Sequence, residues 1–186
     1  MNGKIIIVAG YCATGKTTYS QKLSNELNIP CFNKDYIKTI LGLNLEINSR
    51  EDSSRLSVTV YNLYLFFMET LMKKNISLII ESNFKKSEEE KILQLLKRYK
   101  YESLTYLFIG DMKIIHERFV KRENMPEREI ANRSFGLFDD FDKFNSAIKP
   151  LGDFNVGNKI IKIDTSYFEK INFRKYVEEA KEFMEN

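Results

Sequence analysis

Eight consecutive residues near the start of the chain combine glycines, a lysine and hydroxyl side chains in a spacing that binds phosphate. They fit the pattern G-x-x-x-x-G-K-[ST] and are Gly10, Tyr11, Cys12, Ala13, Thr14, Gly15, Lys16 and Thr17. In this pattern, backbone N–H groups and the N-terminus of the following helix surround a polyphosphate, and the glycines allow a close backbone approach. The motif therefore predicts a nucleoside triphosphate site, to which we add Thr18 as the next residue along the helix.

The residues on either side of this loop give the motif its expected setting. Residues 4–9 are apolar and mostly β-branched, as in a buried parallel strand, while Leu23 and Leu27 lie four apart in a predicted helix over 15–27. Within the loop, Lys16 is expected to reach the β- and γ-phosphates, and the Thr17 hydroxyl to bind Mg²⁺. Cys12 is either a small filler or a thiol whose pKa the helix N-terminus lowers.

The first acidic residue of interest is Asp35, which lies after a weak predicted strand over 29–33. A carboxylate at this point of a phosphotransferase can accept the proton of an attacking hydroxyl or hold that hydroxyl in line. Asp35 can also simply cap a helix over 36–41. A Rossmann dinucleotide site, which places an acid at a similar distance, is excluded because the glycine pattern differs.

A second carboxylate, Glu81, ends the clearest internal strand, over 76–80. It can hold Mg²⁺ through water or help to position the substrate, and the alternative is a solvated acid at a strand end. Ser82 and Asn83 follow it and are candidates for contact with substrate.

Arginines on a later predicted helix, over 112–123, provide positive charge. Arg118 and Arg122 are four residues apart and so share one helix face. Placed over a nucleotide they would neutralise the transferring phosphoryl group; otherwise they form part of a solvated basic face.

Length and composition exclude several classes of protein. A chain of 186 residues is expected to form one domain over 1–186, and a net charge of +3 suits an anionic small ligand without requiring nucleic acid. The single histidine argues against a histidine metal cluster or a Ser-His-Asp triad. Two lone cysteines, with neither a secretory leader pattern nor an apolar stretch of membrane-spanning length, lead us to expect a cytoplasmic protein with no membrane partner.

Predicted strands alternate with predicted helices along the chain, which indicates an α/β fold with a parallel sheet and helices on both faces. We predict a helix over 53–74, a helix after a capping box at 87–90, a strand over 104–109, a helical segment over 124–150, a strand over 160–163 and a final helix over 169–184. Parallel sheets bind ligands beyond the carboxyl ends of their strands, where the residues singled out above lie.

In order along the chain, the phosphate loop, Asp35 and the residues after it, Ile79 to Phe84, Glu117 to Arg122 and Ile163 to Ser166 together resemble the AAA-type kinases of the P-loop kinase superfamily. That group is similar to zeta toxins, chloramphenicol phosphotransferase, gluconate kinase and polynucleotide kinase domains, and the resemblance covers about residues 1–170. It implies a three-layer P-loop fold with strand order 2-3-1-4-5, an acceptor-binding acid at Asp35 and a helical lid over roughly 118–135 that carries Arg118 and Arg122. It also implies an adenine-side loop near Asp164, Thr165 and Ser166. Many relatives have Asp where this chain has Glu81.

These observations favour an enzyme that uses ATP and Mg²⁺ to phosphorylate a hydroxyl. The acceptor is a small molecule, a nucleotide or sugar derivative, or the 5′ end of a polynucleotide, of which the modest charge disfavours the last. A nucleotide-driven switch or motor is the alternative from another class. It is disfavoured because the chain lacks the N-K-x-D element of GTPases and the Asp-Glu strand end of motor ATPases.

Overall fold

The computed structural model describes residues 3–185, and its centre is one five-stranded parallel sheet. The strands lie in the order β2-β3-β1-β4-β5, which confirms the predicted sheet and strand order. They are β1 (Lys4–Gly10), β2 (Cys31–Asn33), β3 (Leu78–Glu81), β4 (Glu102–Ile109) and β5 (Lys159–Asp164).

Helices cover both faces of this sheet. They are α1 (Lys16–Leu27), α2 (Lys34–Gly42), α3 (Arg50–Met72), α4 (Lys86–Tyr99), α5 (Met112–Glu123), α6 (Phe141–Ile148) and α7 (Phe173–Glu185), with short 3₁₀ turns at Ile130–Asn132, Lys149–Asp153 and Phe168–Lys170. One hydrophobic cluster packs α3 and α4 against the sheet, and another packs α1 and α7 against its opposite face. No helix within residues 3–185 combines the length and apolar character needed to cross a bilayer.

The central strand β1 shows why the sheet is sandwiched in this way. Ile5 and Ile7 belong to the cluster under α3 and α4, whereas Ile6 and Val8 belong to the cluster under α1 and α7. Since successive side chains of a strand point to opposite faces, a strand buried on both sides must be apolar throughout, as this one is.

Strand register brings the candidate site together. Glu81 at the end of β3 is paired with Val8 of β1 on one side and with Asn33 of β2 on the other. The phosphate loop leaves the end of β1, so the loop, Asn33 and Glu81 all lie at the carboxyl edge of the sheet.

The predicted helical segment over 124–150 is wrong for most of its length. The chain there makes a 3₁₀ turn at Ile130–Asn132, and α6 forms only over Phe141–Ile148. Phe135 and Gly136 have φ of 55° and 75°, left-handed values that interrupt a right-handed helix.

Three predicted helix starts also need correction. Helix α4 begins at Lys86 rather than after a cap at Ser87, because the Glu88 carboxylate accepts a hydrogen bond from the Lys85 N–H (2.8 Å). Helix α3 begins earlier, at Arg50, because Ser49 caps it. The last helix begins later than predicted because the 3₁₀ turn at Phe168–Lys170 precedes it.

Candidate nucleotide and acceptor site

The phosphate loop depends on glycine at two positions. Gly10 has φ of 111°, and a Cβ there would lie 2.0 Å from the carbonyl oxygen of Phe108. Gly15 has φ of 80° and directly precedes α1. Both positions favour a residue without a side chain, so the loop can take its tight path between strand and helix.

The loop presents unused hydrogen-bond donors. Within residues 3–185, the backbone N–H groups of residues 12–15 donate to no protein acceptor, while the Thr14 hydroxyl donates to the Tyr11 carbonyl (2.7 Å). The Lys16 ammonium donates to the same carbonyl and is only 5% exposed. Burial lowers the pKa of Lys16, and the nearby Glu81 carboxylate opposes this shift. A buried cation beside free N–H groups is a setting that favours an anion.

A first cavity of about 730 Å³ opens over this loop. Besides residues 12–18, its walls include Lys22, Asp35, Glu81, Arg118, Arg122 and Phe168. Residues 12–18 of the predicted loop, both predicted carboxylates and both predicted arginines therefore meet around one space whose size is ordinary for a small-ligand site, whereas Gly10 and Tyr11 do not line it.

The Glu81 carboxylate lies at the base of this cavity and accepts hydrogen bonds from two side chains. The Thr17 hydroxyl donates to it over 3.0 Å, and the Asn33 amide donates to the same oxygen. Glu81 is 5% exposed, and burial raises its pKa to about 7 although Lys16 opposes the rise. Asn33 also caps α2 by accepting from the Tyr36 N–H (2.7 Å), so the capping role considered for Asp35 belongs to Asn33.

Arg118 lines the cavity and is held in place by the chain that follows β5. Its guanidinium donates to the carbonyls of Thr165 (2.6 Å) and Ser166 (2.7 Å) and lies over the Phe168 ring, 4.2 Å from its centre. The Thr165 side chain is buried, and its hydroxyl donates to the Ile109 carbonyl (2.9 Å).

The Asp164 carboxylate accepts hydrogen bonds from the backbone N–H and the hydroxyl of Ser166 (2.8 and 2.6 Å). Neither Asp164 nor Thr165 lines the first cavity, so the arrangement connects them to it through Arg118, and their direct contact with a nucleotide stays a prediction.

A second cavity, of about 570 Å³, lies beside the first. Four residues line both cavities, namely Cys12, Asp35, Asn83 and Arg122. The Nε of Arg122 is buried without a hydrogen-bond partner in the described part of the chain, and burial raises the pKa of Cys12 to about 11, so its thiol is neutral. The boundary between the cavities thus carries one carboxylate and one incompletely paired guanidinium.

The segment after α5 lines part of the second cavity and is tied to its surroundings. The Asn132 amide donates to the Asp35 carbonyl (3.2 Å) and to the Thr39 hydroxyl (2.8 Å). Glu123 pairs with Arg128 (3.1 Å) and accepts from the Ser134 N–H (2.5 Å). We call residues 124–134 the lid segment, because they fall within the predicted lid, line the second cavity and contact α2.

Several residues of the site were missed or undervalued at the level of sequence. The sequence indicates Asn33 only as the end of a strand, and it does not single out Lys38 or Phe168 as site residues. The asparagine directly before α2 was the one available signal, since Asn is a favoured cap. A lysine in a helix gives no sign of burial, because most lysines are exposed.

Lys38 is buried with almost no compensating negative charge, and this predicts an unusual pH dependence of stability. It is 5% exposed, and its pKa is lowered to about 8. Burial is the main cause; Asp35 opposes the shift, and the neighbouring cations Arg50, Lys34 and Arg128 add to it. The unfolded chain, in which a lysine pKa is about 10.4, binds more protons above pH 8, so stability from this group rises between about pH 8 and 10.4. We expect Lys38→Met to remove this rise, which amounts to about 3 kcal/mol in the free energy of unfolding.

The measurement is the free energy of urea unfolding of both proteins at pH 7.5 and pH 10. Between pH 7.5 and pH 10 the natural protein should gain stability relative to Lys38→Met, whereas the exposed Lys97→Met should track the natural protein at both. Parallel pH profiles for Lys38→Met and the natural protein would contradict the assignment of a buried cation.

The chain shares its fold with known kinases. A candidate kinase from Chloroflexus aurantiacus superposes with a TM-score of 0.86 at 24% identity, covering 98% of both chains. A sugar kinase from Janibacter sp. has a TM-score of 0.60 at 15% identity, covering 98% of this chain and 95% of its own. A protein of the PezAT toxin-antitoxin system of Streptococcus pneumoniae has a TM-score of 0.58 at 17% identity, covering 88% of this chain and 68% of its own. No curated protein matches the sequence.

Sequence comparison gives the family directly. The family model described as an AAA domain matches residues 5–139, which include the phosphate loop, Asp35, Glu81 and both arginines of α5. The observed strand order and the phosphate loop at the end of β1 agree with this match. The chain belongs to this AAA-domain family, within the P-loop kinase superfamily.

Proposed function

We propose that the protein is an ATP- and Mg²⁺-dependent kinase that transfers the γ-phosphate to a hydroxyl group of a small molecule or nucleotide derivative. The observation that carries this proposal is the meeting of two cavities at Asp35 and Arg122. A triphosphate on the loop would point its terminal phosphate to that boundary, and an acceptor in the second cavity would approach from the other side. The sugar kinase among the solved structures, which shares this fold, lends support to a small-molecule acceptor.

The reaction requires one proton acceptor at the boundary. The acceptor oxygen forms a bond to the γ-phosphorus, and the bond from that phosphorus to the bridging oxygen breaks, with the electron pair leaving on ADP. The proton of the hydroxyl passes to the Asp35 carboxylate and then to solvent. Asp35 is the carboxylate that lines both cavities, so it is suited to orient the hydroxyl and take its proton.

Charge neutralisation comes from two sides. Lys16 and the free N–H groups of the loop face the β- and γ-phosphates, and Arg122 faces the transferring group from α5. We assign Arg118 to the base side of the nucleotide, because its guanidinium is already held by two carbonyls over Phe168. In this assignment Arg118 orients the nucleotide, and Arg122 stabilises the moving charge.

The residues around Glu81 fit a magnesium ion. Mg²⁺ in phosphotransferases is usually held by one or two protein oxygens together with substrate phosphates and water. The Thr17 hydroxyl and the Glu81 carboxylate lie 3.0 Å apart at the wall of the first cavity, and Asn33 fixes the carboxylate. When bound there, the ion would neutralise charge on the phosphate oxygens.

We expect Glu81→Gln to raise the magnesium concentration needed for half-maximal transfer about 10- to 100-fold, since the change removes the negative charge that favours the cation. A magnesium titration of the transfer rate at saturating ATP measures this effect. Glu81→Asp keeps the charge and should lie between the two proteins. An unchanged magnesium dependence in Glu81→Gln would contradict the role of Glu81.

The proposal includes a single kinase domain, with the lid segment as the part that excludes water during transfer. Water is a competing acceptor, so a phosphotransferase must shield the γ-phosphate when the true acceptor is bound. Asn132 ties the lid segment to the backbone of Asp35, which couples lid position to the residue that orients the acceptor.

Label transfer from γ-labelled ATP tests the proposed function. Protein, Mg²⁺ and label are incubated with a small-metabolite extract and, separately, with 5′-hydroxyl oligonucleotides, and products are separated by charge. Label on a small molecule supports the proposal and gives the acceptor by mass. Label on the oligonucleotide alone would make the protein a polynucleotide kinase. Free phosphate alone, at an equal rate in Asp35→Asn, would leave an ATPase or switch.

A further inference from the structure

The second cavity is strongly positive, although the chain as a whole carries a net charge of only +3. Eight cationic side chains line it against two carboxylates, Asp35 and Glu88. Among these cations only Arg128 forms an ion pair within residues 3–185, with Glu123. The cavity therefore carries an excess of positive charge over its two carboxylates.

The cations in question come from four separate segments of the chain. Apart from Arg122 at the boundary, those without an ion pair are Lys34, Lys38, Arg50, Lys85, Lys91 and Arg133. They lie on α2, on α3, in or just before α4, and in the lid segment, so only folding brings them together. Like charges gathered in a cavity repel one another, and an anionic ligand removes that repulsion.

Ser53 joins two of these cations, Lys38 and Arg50. Its hydroxyl accepts hydrogen bonds from the Lys38 ammonium (2.7 Å) and from the Arg50 guanidinium (3.3 Å), and it donates to the Ala131 carbonyl (2.9 Å). These bonds use the whole capacity of the hydroxyl. Lys38 and Arg50 have further N–H donors, and both side chains line the cavity.

Lys38 is the strongest sign that this cavity binds an anion. The residue is only 5% exposed, yet the Ser53 hydroxyl is the one hydrogen-bond partner of its ammonium group within residues 3–185. Burying an ammonium group beside other cations is costly unless an anion compensates it. Lys38 also lies one helical turn after Asp35 on α2, close to the point where the transferred hydroxyl would lie.

We propose that the acceptor is a phosphorylated alcohol, whose hydroxyl faces Asp35 and whose phosphate binds between Lys38 and Arg50. A phosphate monoester carries nearly two negative charges at neutral pH and has three acceptor oxygens, so it can engage several of these cations at once. A neutral alcohol would leave the excess positive charge uncompensated, and a single carboxylate would leave most of it. Tyr61 and Phe138, which also line the cavity, supply apolar wall for the carbon skeleton.

This inference rests on the proposed kinase function, but its first test does not require turnover. The first cavity is saturated with a non-hydrolysable ATP analogue and Mg²⁺, and binding of the analogue is measured on its own. Inorganic phosphate is then titrated at constant ionic strength and followed by calorimetry and by the thermal midpoint. We expect phosphate to bind and to raise the midpoint, and acetate to do so much less.

Matched arginine variants on α3 locate that binding. Arg50→Gln should weaken phosphate binding at least ~10-fold, because it removes a charged donor. Arg55→Gln should leave it unchanged, since Arg55 is mostly exposed, pairs with Asp52 and lies outside the cavity. Absence of phosphate binding, or equal binding in both variants, would overturn the proposal. Failure of the ATP analogue to bind would instead count against the kinase function.

The second test uses the unidentified acceptor itself. A metabolite extract is divided, one half is treated with alkaline phosphatase that is then removed, and both halves are offered with γ-labelled ATP. Labelled product should form in the untreated half and disappear from the treated half. A product that persists after the treatment, or label on 5′-hydroxyl oligonucleotides alone, would overturn the phosphorylated small-molecule acceptor while leaving phosphotransfer intact.

Discussion

Lys16→Ala is expected to lower the transfer rate by a factor of ~10²–10³, as the loss of one preorganised donor to developing charge does in other enzymes. The affinity for ATP·Mg²⁺ should fall by a factor of ~10–100, corresponding to one charged hydrogen bond of about 1.5–3 kcal/mol. Single-turnover transfer and nucleotide titration measure the two effects separately.

In Lys16→Ala we expect the affinity for ATP·Mg²⁺ to fall without a loss in the free energy of unfolding. Burial lowers the pKa of Lys16, which means that the fold disfavours its charged form. Removing that charge is therefore not expected to lower the free energy of unfolding of the nucleotide-free protein. Lys16→Met keeps the apolar stem of the side chain and should behave like Lys16→Ala in transfer.

Urea unfolding without nucleotide distinguishes a lost phosphate contact from a damaged loop. The exposed Lys97→Ala on α4 serves as the lysine control and should leave transfer, affinity and stability unchanged. If Lys16→Ala retains normal affinity for ATP·Mg²⁺, the loop does not hold the triphosphate as proposed.

The parts of the fold that could be predicted from sequence are those with strong local signals. The apolar run of β1, the glycines of the loop and the apolar spacing of α1 each specify local structure. Their order along the chain, strand then loop then helix, is the reason that the fold class could be predicted correctly. The strand order came from the resemblance to a family, because local patterns do not say which strands are neighbours.

The lid segment was mispredicted because it depends on tertiary contacts rather than on a repeat of apolar residues. Asn132 bonds to α2, and Glu123 bonds to Arg128 and to the backbone of Ser134. A segment held in this way can interrupt helix at Phe135 despite the favourable composition around it.

The basic cavity could not be predicted for a related reason. Lys38 and Arg50 are ordinary helix residues in sequence, and their meeting at Ser53 appears only when α2 packs on α3. The net charge of the chain does not reveal such a cluster, because its 26 acidic residues offset most of its 29 basic ones. The sequence could indicate the nucleotide half of the site, whose motif is continuous, but not the acceptor half, which is assembled from distant segments.

Asp35→Asn is expected to lower transfer by a factor of ~10²–10⁴ while the affinity for ATP·Mg²⁺ stays within about twofold, because the change removes a proton acceptor but no phosphate ligand. Stability should change by less than about 1 kcal/mol, since Asn33 rather than Asp35 caps α2 and the first-turn charge contributes little. Asp142→Asn removes a first-turn acid from α6, outside both cavities, and controls for the loss of a negative charge at the start of a helix.

The informative comparison is with Lys16→Ala, in which transfer and affinity fall together. Normal turnover in Asp35→Asn would exclude Asp35 from the mechanism. Lost transfer with retained affinity would instead indicate that Asp35 acts in phosphoryl transfer from the nucleotide in the first cavity to the acceptor in the second.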